Sequence, residues 1–154
     1  MIKKITLDSF KIVGISVRTT NQEGRSANDL MELWQRFYSE NISSKISNKT
    51  DNNIYSVYTD YESDYTAGYT ALIGHKVSSI DIIPEELASR EFKGGNYFVF
   101  EAKGKIPAAV VNKWQEIWDN NEELNRSYTA DFEVYGEKSN DPEDAEVEIY
   151  IATV

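Results

Sequence analysis

The chain has 154 residues, enough for one domain with a substantial core and too few for two ordinary ones. Its formal charge is -10, from 16 basic against 26 acidic side chains, so its field repels phosphate backbones and anionic membrane surfaces and favours cations. There is no cysteine and a single histidine, His75, which removes disulfides, thiolate catalysis, cysteine-based zinc sites and His-rich metal sites.

The N-terminal MIKKITLDSF carries two lysines with no apolar run behind them, and no stretch approaches a membrane span. A cytoplasmic location is the expectation, with no membrane or direct nucleic-acid partner. Residues 10–19, FKIVGISVRT, read as a β-branched strand, and SAND at 26–29 has the Ser-x-x-Asp form of a helix start. Leu30, Met31, Trp34, Phe37 and Tyr38 then recur at helical spacing to about residue 42. After the polar SSKISNKTDNN come two predicted strands, 54–61 (IYSVYTDY) and 68–77 (GYTALIGHKV), paired as a hairpin through the loop ESDYTA.

The second half repeats the order. A strand at 96–104 leads to a helix opened by Pro107, with Val110, Val111, Trp114, Ile117 and Trp118 on one face, and then to strands at about 129–136 and 146–153. The dipeptide WQ occurs in both helices, at 34 and 114, and SIDIIPEELASREFKGG supplies the crossover between the halves. This pattern predicts an α+β fold: one domain over 1–154, an antiparallel sheet from two βαββ repeats (about 1–80 and 81–154), two main helices on one face and a ligand cleft on the other.

Within DFEVY, residues 131–135, alternation sends Phe132 and Val134 to one face and Asp131, Glu133 and Tyr135 to the other. A lone glutamate on a strand is ordinarily solvated. Placed among aromatics, it becomes a counter-ion that a lipophilic cation would satisfy, with cation–π attraction from the rings, or else an acid–base group with a raised pKa. Trp34, Trp114 and Trp118 lie on apolar helix faces, where core packing is the plain reading; Trp34 and Trp114 hold equivalent places in the repeat, and one of them could reach a ligand cavity. His75 has no partner at diagnostic spacing. The acidic run at 141–148 lacks the ligand order of a calcium loop, and GGN at 94–96 lacks the Lys-Ser/Thr of a phosphate cradle, so no cofactor or metal is expected.

YTDYESDYTAGYTALIGHKV (58–77), GGNYFVFEAKG (94–104), VVNKWQEIWDN (110–120), DFEVY and the terminal VEIYIATV resemble, in order, the GyrI-like small-molecule-binding family, also described as the AraC-type effector-binding domain. The resemblance is weakest before residue 50. It implies tandem strand-helix-strand-strand modules with a cleft between them and hydrophobic, often cationic, ligands. It places the family's buried glutamate at Glu133 and an aromatic lining at Tyr58, Tyr69, Trp114 and Tyr135. The chain departs from many members in having no helix-turn-helix region attached, so it is not expected to act alone as a repressor or activator, and in having Ala152 where proline is common. Three functions follow: a sensor or sequestering module for a lipophilic, cationic small molecule; a small-molecule hydrolase using Glu133 and Tyr135; and an acidic module for a protein partner, such as a gyrase inhibitor.

Overall fold

Among the described residues of the computed structural model, 3–64, 66–80 and 83–154, eight strands form one antiparallel sheet. In chain order they are β1 (Lys3–Leu7), β2 (Phe10–Thr20), β3 (Ile54–Thr59), β4 (Gly68–Val77), β5 (Ala88–Phe92), β6 (Gly95–Gly104), β7 (Ala130–Tyr135) and β8 (Ala145–Thr153). The helices are α1 (Arg25–Ser39), the short α2 (Ile42–Lys45), α3 (Ala108–Asp119) and the short α4 (Asn121–Leu124). Tyr65 of the predicted hairpin loop and Asp81 and Ile82 of the predicted crossover lie outside the described residues. The α+β class and the repeated strand-helix-strand-strand order are as the sequence predicts.

The spatial order β1-β6-β8-β7-β3-β4-β2-β5 is symmetric about the β3–β7 pair. Each half also lends a strand to the other: β1 pairs with β6, and β5 pairs with β2. Neither lent strand was read from sequence. Lys3, Lys4 and Thr6 of β1 are exposed, and β5 buries only Phe92, so both edges lack a strong apolar alternation. The predicted cap at Ser26 is not formed either. The cap sits two residues earlier, at Gly24 in a left-handed conformation, so that α1 starts at Arg25, and Asp29 instead accepts a hydrogen bond from Thr19 Oγ1 at 2.6 Å.

The helices sit on one face. Leu33 and Phe37 of α1 pack on Val13, Ile15, Ala71 and Ile73 of β2 and β4, while Val110 and Ile117 of α3 pack on Phe100, Ala102, Val147 and Ile149 of β6 and β8. Their main contacts leave the central β3–β7 pair uncovered between them. On the opposite face Phe10, Tyr55, Tyr97 and Phe132 form an aromatic core. The Phe10 and Phe132 rings are 5.4 Å apart although β4 and β3 separate their strands, a span of about 14 Å in a flat sheet. The sheet therefore curls around this face and fills it with its own side chains. The cleft expected there lies instead on the helix face, over β3 and β7, because each helix covers only its own half.

Two close approaches lock the first half. Gly14 of β2 lies directly opposite Gly74 of β4, and a Cβ on either would meet the partner strand's backbone, Ile73 O at 1.9 Å or Val13 O at 2.0 Å. His75, also on β4, ties two neighbouring segments to the sheet: Nδ1 donates to the Asn53 carbonyl at 2.8 Å and Nε2 accepts from Ser43 Oγ of α2 at 2.7 Å.

Gly74→Ala should destabilise the protein by about 1 to 3 kcal/mol in urea unfolding, because the strands must part to admit the methyl group. Burial, helped by nearby Lys49 and opposed by the Asn53 carbonyl and Asp51, holds the His75 pKa below its ordinary value. The unfolded chain therefore takes up a proton that the fold resists. Stability should fall as pH drops from about 7 through the unfolded histidine range near 6.5, and His75→Gln should flatten that slope relative to wild type.

Candidate functional site

The uncovered β3–β7 pair is the floor of a cavity of about 540 Å³ walled by α1 and α3. The ladder places Ser56 directly opposite Glu133, Tyr58 opposite Asp131 and Ile54 opposite Tyr135, all on the helix face. Two residues after Ser56 comes Tyr58, and two after Glu133 comes Tyr135, so the two halves present matching tyrosines around a central Ser–Glu pair. Each tyrosine meets the tryptophan of the other half edge-on: Tyr58 with Trp114 at 5.6 Å between ring centroids, and Tyr135 with Trp34 at 5.1 Å.

Glu133 is 3% exposed. Its Oε2 accepts from Trp114 Nε1 at 2.6 Å and from Tyr58 OH at 2.9 Å, and its Oε1 accepts from Tyr135 OH at 2.5 Å. Ser56 Oγ donates in turn to Tyr58 OH at 3.1 Å. All three donors to the carboxylate are neutral, and among the described residues no cationic side chain lies within ion-pair distance of it. Burial pushes the Glu133 carboxyl above the usual carboxylate range, against the pull of the bonds from Tyr135, Trp114 and Tyr58. Burial and the Glu133 charge hold both tyrosines far above their ordinary pKa, so they remain O–H donors.

Asp131, two residues away on the same face, has a cationic partner instead. Fully buried, it accepts from Arg126 Nη2 at 2.7 Å, Tyr61 OH at 2.6 Å and the Ala152 amide at 2.8 Å. Arg126 also lies over the Tyr128 ring at 4.4 Å. This ion pair closes one end of the cavity, next to Trp114.

All six residues singled out in the sequence, Glu133, Tyr135, Tyr58, Tyr69, Trp114 and Trp34, line this cavity. Their positions differ. Tyr69 contributes its ring, edge-on to Tyr58, while its hydroxyl donates to Asn21 Oδ1 at 2.8 Å and not to the glutamate. Both tryptophans are walls, but Trp114 donates to Glu133 whereas Trp34 reaches it only through Tyr135. Arg126, Tyr61 and Asp131 were not singled out. Arg126 follows α4 in a segment with no periodicity, and Tyr61, read as part of a strand over 54–61, lies beyond the true end of β3, after Asp60 turns into a left-handed conformation.

Met31 and Val111, 54% and 61% exposed, form apolar lips on the two helices. Each helix thus carries two apolar bands, one for the sheet and one for the cavity. That surplus was visible in sequence as an apolar face wider than packing on one sheet requires. Among the described residues, no group of three or more His, Asp or Glu is arranged to hold a metal ion, and no helix is long and apolar enough to cross a membrane.

Comparison with known proteins agrees with this architecture. YobU of Bacillus subtilis (strain 168), whose name marks it as a candidate transcriptional regulator, is 30% identical over 149 residues, 95% of this chain and 93% of that protein. The crystal structure of an integron cassette protein from the mobile metagenome of Vibrio cholerae is 29% identical with a TM-score of 0.77, over 99% of this chain and 95% of that one. SAV2435, solved bound to tetraphenylphosphonium, shares the fold with a TM-score of 0.80 at 23% identity, over 98% and 92% of the two chains. Residues 5–153 match the family model described as Cass2, integron-associated effector binding protein. With a match over nearly its whole length and a relative at this identity, the chain belongs to the integron-associated effector binding family of the GyrI-like superfamily.

Proposed function

We propose that this protein binds a lipophilic cation between α1 and α3, with Glu133 as its counter-ion and the aromatic walls as its apolar seat, and releases it unchanged. The observation that carries the reading is the unpaired charge. Glu133 is buried, held by neutral donors alone, and faces a cavity lined mostly by apolar and aromatic side chains. A buried carboxylate without a cation is costly, and an entering cation relieves that cost while the surrounding rings add roughly 0.5 to 2 kcal/mol per well-placed face. The lining supplies little polar surface for a hydrophilic ligand. That SAV2435, of the same fold, was solved with tetraphenylphosphonium supports the same ligand class here.

The hydrolytic alternative has less support. General acid–base chemistry on a small molecule calls for a second polar group free to act beside Glu133. The neighbouring carboxylate, Asp131, is already engaged by Arg126, Tyr61 and the Ala152 amide. The net charge of -10 steers any cation towards the protein without specifying a protein partner.

Glu133→Gln keeps the size and most of the hydrogen bonding while removing the charge. In calorimetric titration with tetraphenylphosphonium it should lose about 1 to 3 kcal/mol, roughly 5- to 150-fold in affinity, while an uncharged ligand of the same shape should be unaffected. Equal loss for both ligands would sink the counter-ion reading.

The pH dependence has a defined sign. Because the folded pKa of Glu133 is raised, its contribution to the stability of the ligand-free protein is intact below the ordinary carboxylate range and lost as pH rises through the folded value. Ligand-free Glu133→Gln should therefore melt at a higher temperature than wild type at pH 7.5, with the gap closing towards pH 4. Wild-type affinity for the cation should rise as pH increases across that range, as Glu133 ionises.

A further inference from the structure

A second, open cavity of about 410 Å³ lies against the first and shares Trp34, Pro107 and Tyr135 with it. We propose that it is an outer compartment of the same binding site, which receives the uncharged, hydrogen-bonding end of an elongated cation whose charge sits at Glu133. The inference rests on the cation reading above and adds to it the shape and chemistry of the ligand's far end.

The partition between the compartments is one pair of rings. Trp34 and Tyr135 meet edge-on at 5.1 Å, and both faces of this contact border a cavity. Tyr135 is half-buried, and its hydroxyl is tied to Glu133 Oε1. A cation arriving at Glu133 draws on the carboxylate charge that holds this bond. Occupation of the inner compartment thus weakens the tie on its own partition, and a change of Tyr135 rotamer, a fast event for a partly exposed side chain, joins the two spaces.

The outer compartment differs from the inner one in chemistry. It has no carboxylate, lysine or arginine in its lining, so it offers nothing to a second charge. It presents Asn52 and Asn140, both exposed, whose side-chain amides have no intramolecular hydrogen bond among the described residues. Ser139 is committed to the Gly136 carbonyl at 2.8 Å. Two amides with open donors and acceptors beside the Trp34 and Tyr38 rings suit a neutral amide, alcohol or ether on an apolar stem.

The related halves do not offer the same space twice. Beside the matching Trp114–Tyr58 pair, the corresponding room is taken by Tyr61 and Tyr69, with ring centroids 5.7 Å apart, and by Arg126, 5.9 Å from the Trp114 ring. The site extends in one direction only, past Trp34.

The test uses calorimetric titration of the intact protein with three probes: tetraphenylphosphonium, a triphenylphosphonium carrying an alkyl chain that ends in a primary amide, and the same chain ending in methyl. Two variants narrow the outer compartment from opposite walls, Ser139→Phe and Asn52→Phe. The inference expects wild type to prefer the amide-tailed over the methyl-tailed probe by about fivefold, and either variant to weaken the amide-tailed probe by about tenfold while changing tetraphenylphosphonium by less than about twofold. Loss of tetraphenylphosphonium binding in wild type overturns the cation reading and this inference with it. Strong tetraphenylphosphonium binding, with no amide preference and no response to either variant, overturns the outer compartment alone.

Discussion

Everything at the site depends on the register of the β3–β7 ladder, because that ladder is where the two halves meet and where neither helix gives cover. With Ser56 opposite Glu133, the tyrosines two residues on, Tyr58 and Tyr135, flank the same carboxylate from opposite sides. A shift of one residue would turn Glu133 or Ser56 to the aromatic face packed by Phe10 and Tyr97, away from the Tyr58, Tyr135 and Trp114 donors. The exchange of β1 and β5 between halves protects this register. Each outer strand belongs by sequence to one half and by pairing to the other, so the halves cannot slide along the seam without breaking the edge pairings as well.

The near-symmetry makes its exception at the centre informative. Tyrosine matches tyrosine and tryptophan matches tryptophan across the seam, but at the centre serine faces glutamate. A second carboxylate opposite Glu133 would set two like charges at cross-strand distance in a buried site, and one of them would have to stay protonated. Serine avoids this and supports the existing charge indirectly, donating to Tyr58, which donates to Glu133. The duplicated frame supplies the aromatic walls twice and the charge once.

Much of this was legible in the chain, for local reasons. The strand-helix-strand-strand repeat follows from apolar spacing, and Glu133 and Tyr135 share a face by alternation alone. The side of the sheet that holds the cleft was not legible, because it depends on how far each helix reaches and on the curl that lets Phe10 touch Phe132 across two strands. Pairing of the lent strands was equally hidden, since Lys3, Lys4 and Thr6 give β1 little apolar signal and nothing local says that β1 belongs beside β6. Register hid the rest: Tyr58 and Glu133 could be assigned to faces of their own strands, but not to the same face.

Asp131 and Glu133 show why a strand with two buried carboxylates can keep one of them for a ligand. They lie two residues apart on one face, roughly 7 Å by strand geometry. At that separation two like charges repel by roughly 2 kcal/mol at an effective dielectric of about 20. Left uncompensated, Asp131 would push Glu133 towards its neutral form and spoil it as a counter-ion. Arg126, itself buried, cancels the Asp131 charge at 2.7 Å, and Tyr61 and the Ala152 amide saturate the remaining positions. The charge of Glu133 is then opposed mainly by its own desolvation, which is the component an incoming cation relieves. Arg126 thus supports the candidate site without needing to touch the ligand's charge, by making Asp131 electrically silent beside it.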